Sequence, residues 1–266
     1  TIKPVDASSI YDKVGNAMVS SQTTGAKTLN DKLAPTITSV FLAVDNSTIA
    51  ITFSEAVFKT NGGSGALEAS DFVFSMAGGT ATLTSTTPSS ISISGNVYTL
   101  GISISGSVDG DEVFVVNPVD DSIYDVAGNE ASSSQSNNIA TLNDKAAPTI
   151  SSAALTSNNS YIDITLSEAV YNANGGSGAL EAADFALTFV QNSGNATAVS
   201  ISSVRKNNNT AEGSAGALAG GETVIRVFLS ITGTPSGVET ITIKPVDASS
   251  IYDKVGNAMV SSQTTG

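Results

Sequence analysis

The fold is decided by residues 35–54, PTITSVFLAVDNSTIAITFS. Two β-rich runs are separated by the turn-forming sequence DNS. In the second run Ile49, Ile51 and Phe53 alternate with small or polar residues, which is the period of a strand with one buried face. The stretch therefore predicts two successive strands.

The same alternation recurs along the chain, and no window of a dozen residues has a convincing helical period. Short strands at regular spacing, separated by Gly, Asn and Ser turns, are typical of a β-sandwich. We therefore expect an all-β fold of seven-stranded Greek-key β-sandwiches, in which successive strands alternate in direction. The apolar positions that mark the further strands are Phe72, Phe74, Met76, Tyr98, Leu100, Ile102, Ile104, Val113, Val115, Ile162, Ile164, Leu166, Phe185, Leu187, Phe189, Ile225, Val227, Leu229, Ile231, Ile241 and Ile243.

Residues 1–25, TIKPVDASSIYDKVGNAMVSSQTTG, are repeated letter for letter as residues 242–266. So strict a repeat indicates that this chain is a segment of a tandem array of identical units. We expect residues 1–25 to be the C-terminal strands of a preceding repeat, because they hold too few strands to bury a core. The alternative is that they pair with the open edge of another chain.

A second, weaker repeat divides the rest of the chain into two related domains. LNDKLAPTI at 29–37 returns as LNDKAAPTI at 142–150, and NGGSGALEASDF returns as NGGSGALEAADF at the same offset. The predicted domains are residues 26–141 and 142–266, and each is long enough to bury a core. Their largest difference is the polar, Gly-rich stretch at 204–223, which we expect to be a disordered loop. The alternative is a contact site for a neighbouring molecule.

Composition excludes most chemistry. The chain contains no His, Cys or Trp, so the usual nucleophile and base pairs are absent, and no GxSxG motif occurs. Aromatic residues are only 6% and lie mostly at core positions, which disfavours a glycosidase cleft. We expect no enzymatic activity. The formal charge of −13 argues against nucleic acid or an anionic membrane surface as partner, and no apolar run predicts membrane insertion.

Acidic residues are predicted to meet at one end of each sandwich. With alternating strand directions, the linker before the first strand, the loop after the second strand and the loop before the last strand share that end. Ca²⁺ takes six to eight oxygen ligands in a tolerant geometry, and a cation would relieve the repulsion between carboxylates. The expected ligands are Asp31, Glu55, Asp71, Asp125 and Asn129 in the first domain and Asp144, Glu168, Asp184, Asp253 and Asn257 in the second.

The predicted ligands also suit a second role. The alternative interpretation is that these residues are solvated and cap turns by bonding to their own backbone. At the opposite end of the first domain lie Asp45, Asp109 and Asp111. We therefore expect the junction from the first domain to the second to be the more acidic of the two kinds of domain junction.

Four motifs occur in the same order in both domains: DKxAPTI, SEAV, GALEAxDF and IYDxxGN. In this order they resemble the tandem bacterial immunoglobulin-like domains of giant surface proteins and RTX-type adhesins. The resemblance implies tandem immunoglobulin-like Greek-key β-sandwiches, an extracellular location at the cell surface, and an extender role with Ca²⁺ at domain junctions. The residues for which the resemblance implies Ca²⁺ binding are Asp31, Glu55, Asp71, Asp125, Asp144, Glu168, Asp184 and Asp253.

The sequence thus predicts a non-catalytic structural extender whose partners are neighbouring copies of the same repeat. Two alternatives remain open. One is a subunit of a self-assembling extracellular filament or surface layer, with contacts to other chains in a fibre. The other is a carbohydrate-binding module, for which Tyr124 and Tyr252 are the repeated aromatic candidates.

Overall fold

The chain is an all-β protein. A computed structural model describes all residues from Thr1 to Gly266 and contains fifteen strands, three short 3-10 turns and no α-helix. None of its helical segments is long and apolar enough to cross a membrane. Two compact units are present, residues 1–78, 82–105 and 112–142 in the first and residues 79–81, 106–111 and 143–266 in the second.

The first unit consists of two antiparallel sheets and a two-stranded ribbon. Its strands are β1 (Ile37–Leu42), β2 (Thr48–Phe53), β3 (Phe72–Ala77), β4 (Thr82–Leu83), β5 (Ile91–Ser94), β6 (Val97–Gly101), β7 (Ile104–Ser105), β8 (Val113–Pro118) and β9 (Ile139–Thr141). One sheet has the order β1-β2-β6-β5 and the other has the order β3-β8-β9, while β4 pairs with β7. Strand β5 was not among the predicted strands, although Ile91 and Ile93 alternate with serines; it is the edge strand of its sheet, and Ile93 is 45% exposed.

The second unit repeats this arrangement with fewer and longer strands. They are β10 (Ile150–Leu155), β11 (Tyr161–Val170), β12 (Phe185–Val190), β13 (Ala198–Lys206), β14 (Glu222–Thr232) and β15 (Thr240–Pro245). One sheet has the order β10-β11-β14-β13, and β12 pairs with β15. The first strand of each unit has a register shift at the same place, between Ile37 and Ser39 in β1 and between Ile150 and Ser152 in β10.

The core is formed by the alternating apolar positions, as the strand patterns predict. Ile49, Ile51 and Phe53 are almost fully buried, and so are Ile162 and Ile164 of the second unit. Burying a large apolar side chain contributes about 1.5–3 kcal/mol, so these positions supply much of the driving force for folding. Each sheet therefore turns one apolar face inward.

Strand β8 is an exception, because the sequence predicts the wrong set of its residues to face the core. Val113 was expected inside with Val115, but Val113 is 40% exposed, whereas Phe114 and Val116 are fully buried. The run VFVV is apolar on both faces, so its alternation does not fix which face is inside. The largest side chain decides, since the Phe114 ring packs against Phe74 with ring centroids 4.8 Å apart.

Residues 204–223 are ordered, contrary to expectation. Strands β13 and β14 extend into this stretch from both sides, and Leu218 within it is 9% exposed. The guanidinium of Arg226 donates two hydrogen bonds of 2.7 Å to the carboxylate of Asp163 and a third of 2.7 Å to the carbonyl of Asn209. These long-range contacts hold a sequence whose composition alone favours disorder.

Candidate metal centre

Three carboxylates meet at one end of the first unit. Asp31 lies in the linker before β1, Glu55 follows β2, and Asp125 lies in the turn that precedes β9. One oxygen of each carboxylate lies within 4.8 Å of the other two. Asp125 is fully buried, Glu55 is half-buried and Asp31 is exposed. The strand directions thus bring three separate loops to one point.

The second unit carries the equivalent cluster. Asp144 lies in the linker before β10, Glu168 near the end of β11, and Asp253 in the turn after β15. Their carboxylate oxygens also lie within 4.8 Å of one another. Asp253 is fully buried, while Asp144 and Glu168 are half-buried. We call these clusters the first and second triads.

The two predicted asparagines hold the buried aspartate of each triad. The backbone N–H of Asn129 donates to Oδ1 of Asp125 at 2.8 Å, and its side-chain amide donates to Oδ2 at 2.7 Å. Asn257 makes the same pair of bonds to Asp253, at 2.8 and 2.6 Å. The amide of Asn257 also donates to Oδ1 of Asp144 at 3.4 Å. Each asparagine thus orients a carboxylate.

These hydrogen bonds keep Asp125 ionised. Burial acts to raise the pKa of its carboxyl, but the side chain and backbone of Asn129 and the neighbouring backbone N–H groups outweigh burial, and the pKa is lowered. A buried, ionised carboxylate is a strong ligand for a cation and a source of repulsion for its neighbours.

The glutamate of each triad has a raised pKa, because the neighbouring carboxylates repel its negative charge. Burial and the charges of its two partners in the triad raise the pKa of Glu55. In the second triad, burial and the charges of Asp144, Asp253 and Asp109 raise the pKa of Glu168 to about 7. Burial, with the charges of Asp253 and Asp109, also raises the pKa of Asp144. The second triad therefore has a fourth acid nearby, and Asp109 is one of the acids that the sequence predicted at the passage between domains.

Asp71 and Asp184, predicted as ligands, lie outside both triads. Oδ2 of Asp71 accepts a 2.7 Å hydrogen bond from the backbone N–H of Glu68, and Oδ2 of Asp184 accepts an equal bond from Glu181. Each aspartate closes the 3-10 turn that leads into β3 or β12. Because their side chains serve these turns, we leave both out of the proposed ligand sets.

The donor atoms of the triads are all oxygens, which match hard cations such as Ca²⁺. Three carboxylates do not fill a coordination sphere of six to eight, so backbone carbonyls or water would supply the remainder. The negative charge of the triads is also suited to a cation, since no Lys or Arg forms a salt bridge with a triad carboxylate. The arrangement is suited to holding a cation.

Comparison with known proteins identifies no family. No family model matches the chain, and no curated protein matches it. A solved structure, the N-terminal part of the bacterial S-layer protein SbsC, aligns with a TM-score of 0.30 and 15% sequence identity. The alignment covers 82% of this chain and 42% of that protein's chain. So low a TM-score carries no argument about function.

Proposed function

We propose that this chain is a non-catalytic spacer of a repetitive extracellular protein, in which Ca²⁺ bound at each triad fixes the linker to the unit that follows it. The observation that carries the proposal is that each triad joins one linker carboxylate to two carboxylates of the folded unit. A cation held there ties a flexible segment to a rigid one. Each unit contributes its length to the spacer, and the bound ion restricts the conformations of the linker.

The linker residues support this role. Asp31 is exposed, and its Oδ1 accepts a 2.9 Å hydrogen bond from the N–H of Leu33 in the same linker. The linker then reaches Pro35, whose fixed φ and buried ring begin the first strand in an extended form. Only the few residues before Pro35 remain to be restrained. A bond from Asp31 to a shared cation would restrain them.

The raised pKa of Glu168 supports the same proposal from electrostatics. A carboxylate that is disfavoured by burial and by three negative neighbours is relieved either by a proton or by a cation. At extracellular pH near neutrality the proton is only partly bound, so Ca²⁺ is the more effective partner. Binding of a divalent ion would relieve the repulsion between the carboxylates of the folded unit, and this relief increases the affinity of the triad for the ion.

We further propose that each unit is an immunoglobulin-like Greek-key sandwich. Lettered in chain order, with β4 and β7 as a side ribbon, the sheets of the first unit read A-B-E-D for β1-β2-β6-β5 and C-F-G for β3-β8-β9. Those are the two sheets of the constant-type immunoglobulin fold. A fold that enters at one end and leaves at the other suits a tandem spacer.

Small-angle scattering of the whole chain tests the spacer function. With excess CaCl₂ we expect a narrower distribution of interatomic distances with a larger maximum dimension than in EDTA. A variant with both Glu55→Gln and Glu168→Gln should give the EDTA profile in both buffers. Profiles that do not respond to Ca²⁺ in the unsubstituted protein would remove the mechanism.

A second candidate is a subunit of a self-assembling extracellular filament. One observation favours it, which is that Ile2, Ile10 and Met18 are exposed, whereas the identical positions Ile243, Ile251 and Met259 are buried. Electron micrographs of the purified chain distinguish the candidates, because a filament subunit forms ordered polymers and a spacer stays as separate particles.

A further inference from the structure

A short glycine-rich hairpin lies against the turn that carries the buried aspartate of each triad. The sequence NGGSG forms the tip of this hairpin at residues 61–65 and again at 174–178. We call residues 58–65 and 171–178 the tip hairpins, and residues 124–129 and 252–257 the ligand turns. Each hairpin belongs to the same unit as its ligand turn. The tip hairpins are therefore close to the proposed ligands without supplying any of them.

The base of each tip hairpin pairs with the ligand turn. In the second unit Tyr171 and Tyr252 form an isolated β-bridge and exchange two backbone hydrogen bonds of 2.8 Å. Phe58 and Tyr124 form the equivalent bridge in the first unit, with hydrogen bonds of 2.7 and 2.9 Å. Tyr124 and Tyr252 directly precede the buried aspartates of the triads. The residue before each of these ligands is thus fixed to the hairpin.

The tip of the hairpin packs on the ligand turn through glycines. A Cβ placed on Gly176 would lie 2.8 Å from the carbonyl oxygen of Lys254 and 3.2 Å from its Cα. A Cβ placed on Gly256, within the turn, would overlap with Oδ1 of Asn174. Approaches this close leave no room for a side chain at either glycine. The hairpin and the turn are therefore in direct contact beside Asp253.

The first unit repeats this contact. A Cβ placed on Gly63 would lie 2.9 Å from Cγ2 of Val126 and 3.1 Å from its Cα, and a Cβ on Gly128 would overlap with Oδ1 of Asn61. Val126 occupies the place that Lys254 has in the second unit, although the two side chains are unlike. The contact therefore depends on the close approach of the backbone, which the glycines permit.

The contact reaches the carboxylate through one peptide group. The N–H of Gly256 donates to Oδ1 of Asp253 at 2.6 Å, and Asn174 touches Gly256 itself. Asp253 is the fully buried member of its triad, and its carboxylate lies within 4.8 Å of those of Asp144 and Glu168. A movement of the hairpin would therefore move a group that orients a proposed ligand.

The tip hairpin is anchored in the core at both ends. Val170 directly before the second hairpin is 1% exposed, and Leu180 shortly after it is 4% exposed. The corresponding residues of the first unit, Val57 and Leu67, are 6% and 3% exposed. Because a packed core resists displacement, each hairpin is a rigid support for its ligand turn.

A ligand turn does not need the hairpin to close on its own hydrogen bonds. Residues 11–16 repeat the sequence of the second ligand turn. Asn16 donates its backbone N–H and its side-chain amide to the two oxygens of Asp12 at 2.8 and 2.7 Å, as its counterpart does in the second triad. Yet a Cβ on Gly15 would meet no atom within 4 Å, so no hairpin packs there. The turn is thus shaped locally, and the hairpin adds its position relative to the other ligands.

We propose that the tip hairpin positions the buried carboxylate of each triad for the ion. The inference rests on the proposed Ca²⁺ function and adds to it a set of positioning residues that do not touch the ion. Altering groups that orient a metal ligand typically lowers metal affinity about 10–100-fold. The positioning residues are Asn61, Gly63 and Gly128 in the first unit and Asn174, Gly176 and Gly256 in the second.

Two adjacent glycines provide a matched test in the second unit. Gly175 and Gly176 both have positive φ, +94° and +72°, so alanine strains the backbone at either position. Only Gly176 faces the ligand turn, because a Cβ on Gly175 would meet no atom within 4 Å. A loss of affinity that is confined to Gly176→Ala would therefore come from the contact and not from the strain.

Isothermal titration calorimetry with CaCl₂ measures that affinity on the full chain. The parent carries Glu55→Gln, so that only the second triad binds. Gly176→Ala should lower the affinity about 10–100-fold, whereas Gly175→Ala should bind as the parent does. A role in folding alone would lower stability in EDTA and leave both affinities unchanged, and that result would overturn the inference. A parent that binds no Ca²⁺ would instead show that the proposed function itself is wrong.

Asn174→Ala is a second variant that adds no bulk, and it decides the question if Gly176→Ala does not fold. It removes the side chain that touches Gly256 and should lower the affinity about tenfold. Hydrogen exchange in EDTA provides a measurement without the ion, in which residues 253–257 should exchange faster than in the parent because their support is lost. Parent-like affinity and exchange in Asn174→Ala would also overturn the inference.

Discussion

A carboxylate oxygen of Glu55 lies within 4.8 Å of one from Asp125, although Glu55 follows the second strand of its unit and Asp125 precedes the last. Their convergence is the geometric condition for an ion site built from separate loops. Carboxylate oxygens of Glu168 and Asp253 also lie within 4.8 Å of each other in the second unit. The two pairs make the triads comparable, and each serves as the control for the other.

The stability of the second unit without Ca²⁺ should fall as the pH rises. The pKa of Glu168 is raised from 4.5 to about 7, so the folded state binds a proton that the unfolded chain has released between these values. The resulting stabilisation is complete below pH 4.5 and is lost as the pH passes 7, a change of up to about 3 kcal/mol. Asp144 shifts in the same direction. Urea unfolding in EDTA across this range measures the effect, and Glu168→Gln should flatten it. Parallel curves for the two proteins would contradict the assignment to Glu168.

Asp253→Ala should destabilise the second unit, whereas Asp12→Ala, at the identical position of residues 1–25, should not change the stability of either unit. Oδ1 of Asp253 accepts three backbone hydrogen bonds in a fully buried turn, and their loss costs about 2 kcal/mol or more. Asp12 makes similar bonds, but its turn is exposed and water replaces them. Thermal unfolding of both variants provides the comparison. Equal effects would mean that burial of the turn is irrelevant.

Phe114→Ala should reduce the free energy of unfolding of the first unit by about 3–5 kcal/mol. Its ring is fully buried against Phe74. The neighbouring Val113→Ala is the matched control, with an expected loss under about 1 kcal/mol because Val113 is 40% exposed. Chemical denaturation of both variants tests the phase of β8, and a larger effect at Val113 would reverse it.

Arg226→Lys should destabilise the second unit by about 2 kcal/mol, because lysine cannot make the two-pronged contact to Asp163. The guanidinium also lies 3.6 Å from the ring centroid of Tyr161, a contact that a lysine would reproduce poorly. Hydrogen exchange should show faster exchange in residues 207–221, which the Arg226 bond to Asn209 helps to hold. Unchanged exchange there would show that the loop is ordered by other contacts.

The parts of the fold that the sequence predicts are those with a one-sided apolar pattern. Ile49, Ile51 and Phe53 sit where their alternation places them, because polar neighbours mark the other face. The phase of β8 was not predictable in the same way, since VFVV offers two apolar faces and only the fit of Phe114 against Phe74 selects one. Residues 204–223 are contacted by Arg226, which donates to the carbonyl of Asn209 and pairs with the distant Asp163, and local composition does not reveal such a contact.

The candidate site was predictable to a similar extent. Strand directions placed Asp31, Glu55 and Asp125 at one end, and their carboxylates meet. The same reasoning grouped Asp71 with them, because it located residues by loop and not by the direction of the side chain. Asp71 instead bonds to the backbone of its own 3-10 turn, a role that its spacing from Glu68 fits equally well. Loop position therefore limits the set of ligands but does not select among them.

Scanning calorimetry with and without Ca²⁺ tests the central claim most directly. A cation bound only to folded units stabilises each by about 2.7 kcal/mol at a free concentration about 100 times Kd, so both unfolding transitions should move to higher temperature. Glu55→Gln should abolish the shift of the first unit alone, and Glu168→Gln that of the second alone. If saturating Ca²⁺ leaves both transitions of the unsubstituted chain in place, the triads do not hold the ion and the account is contradicted.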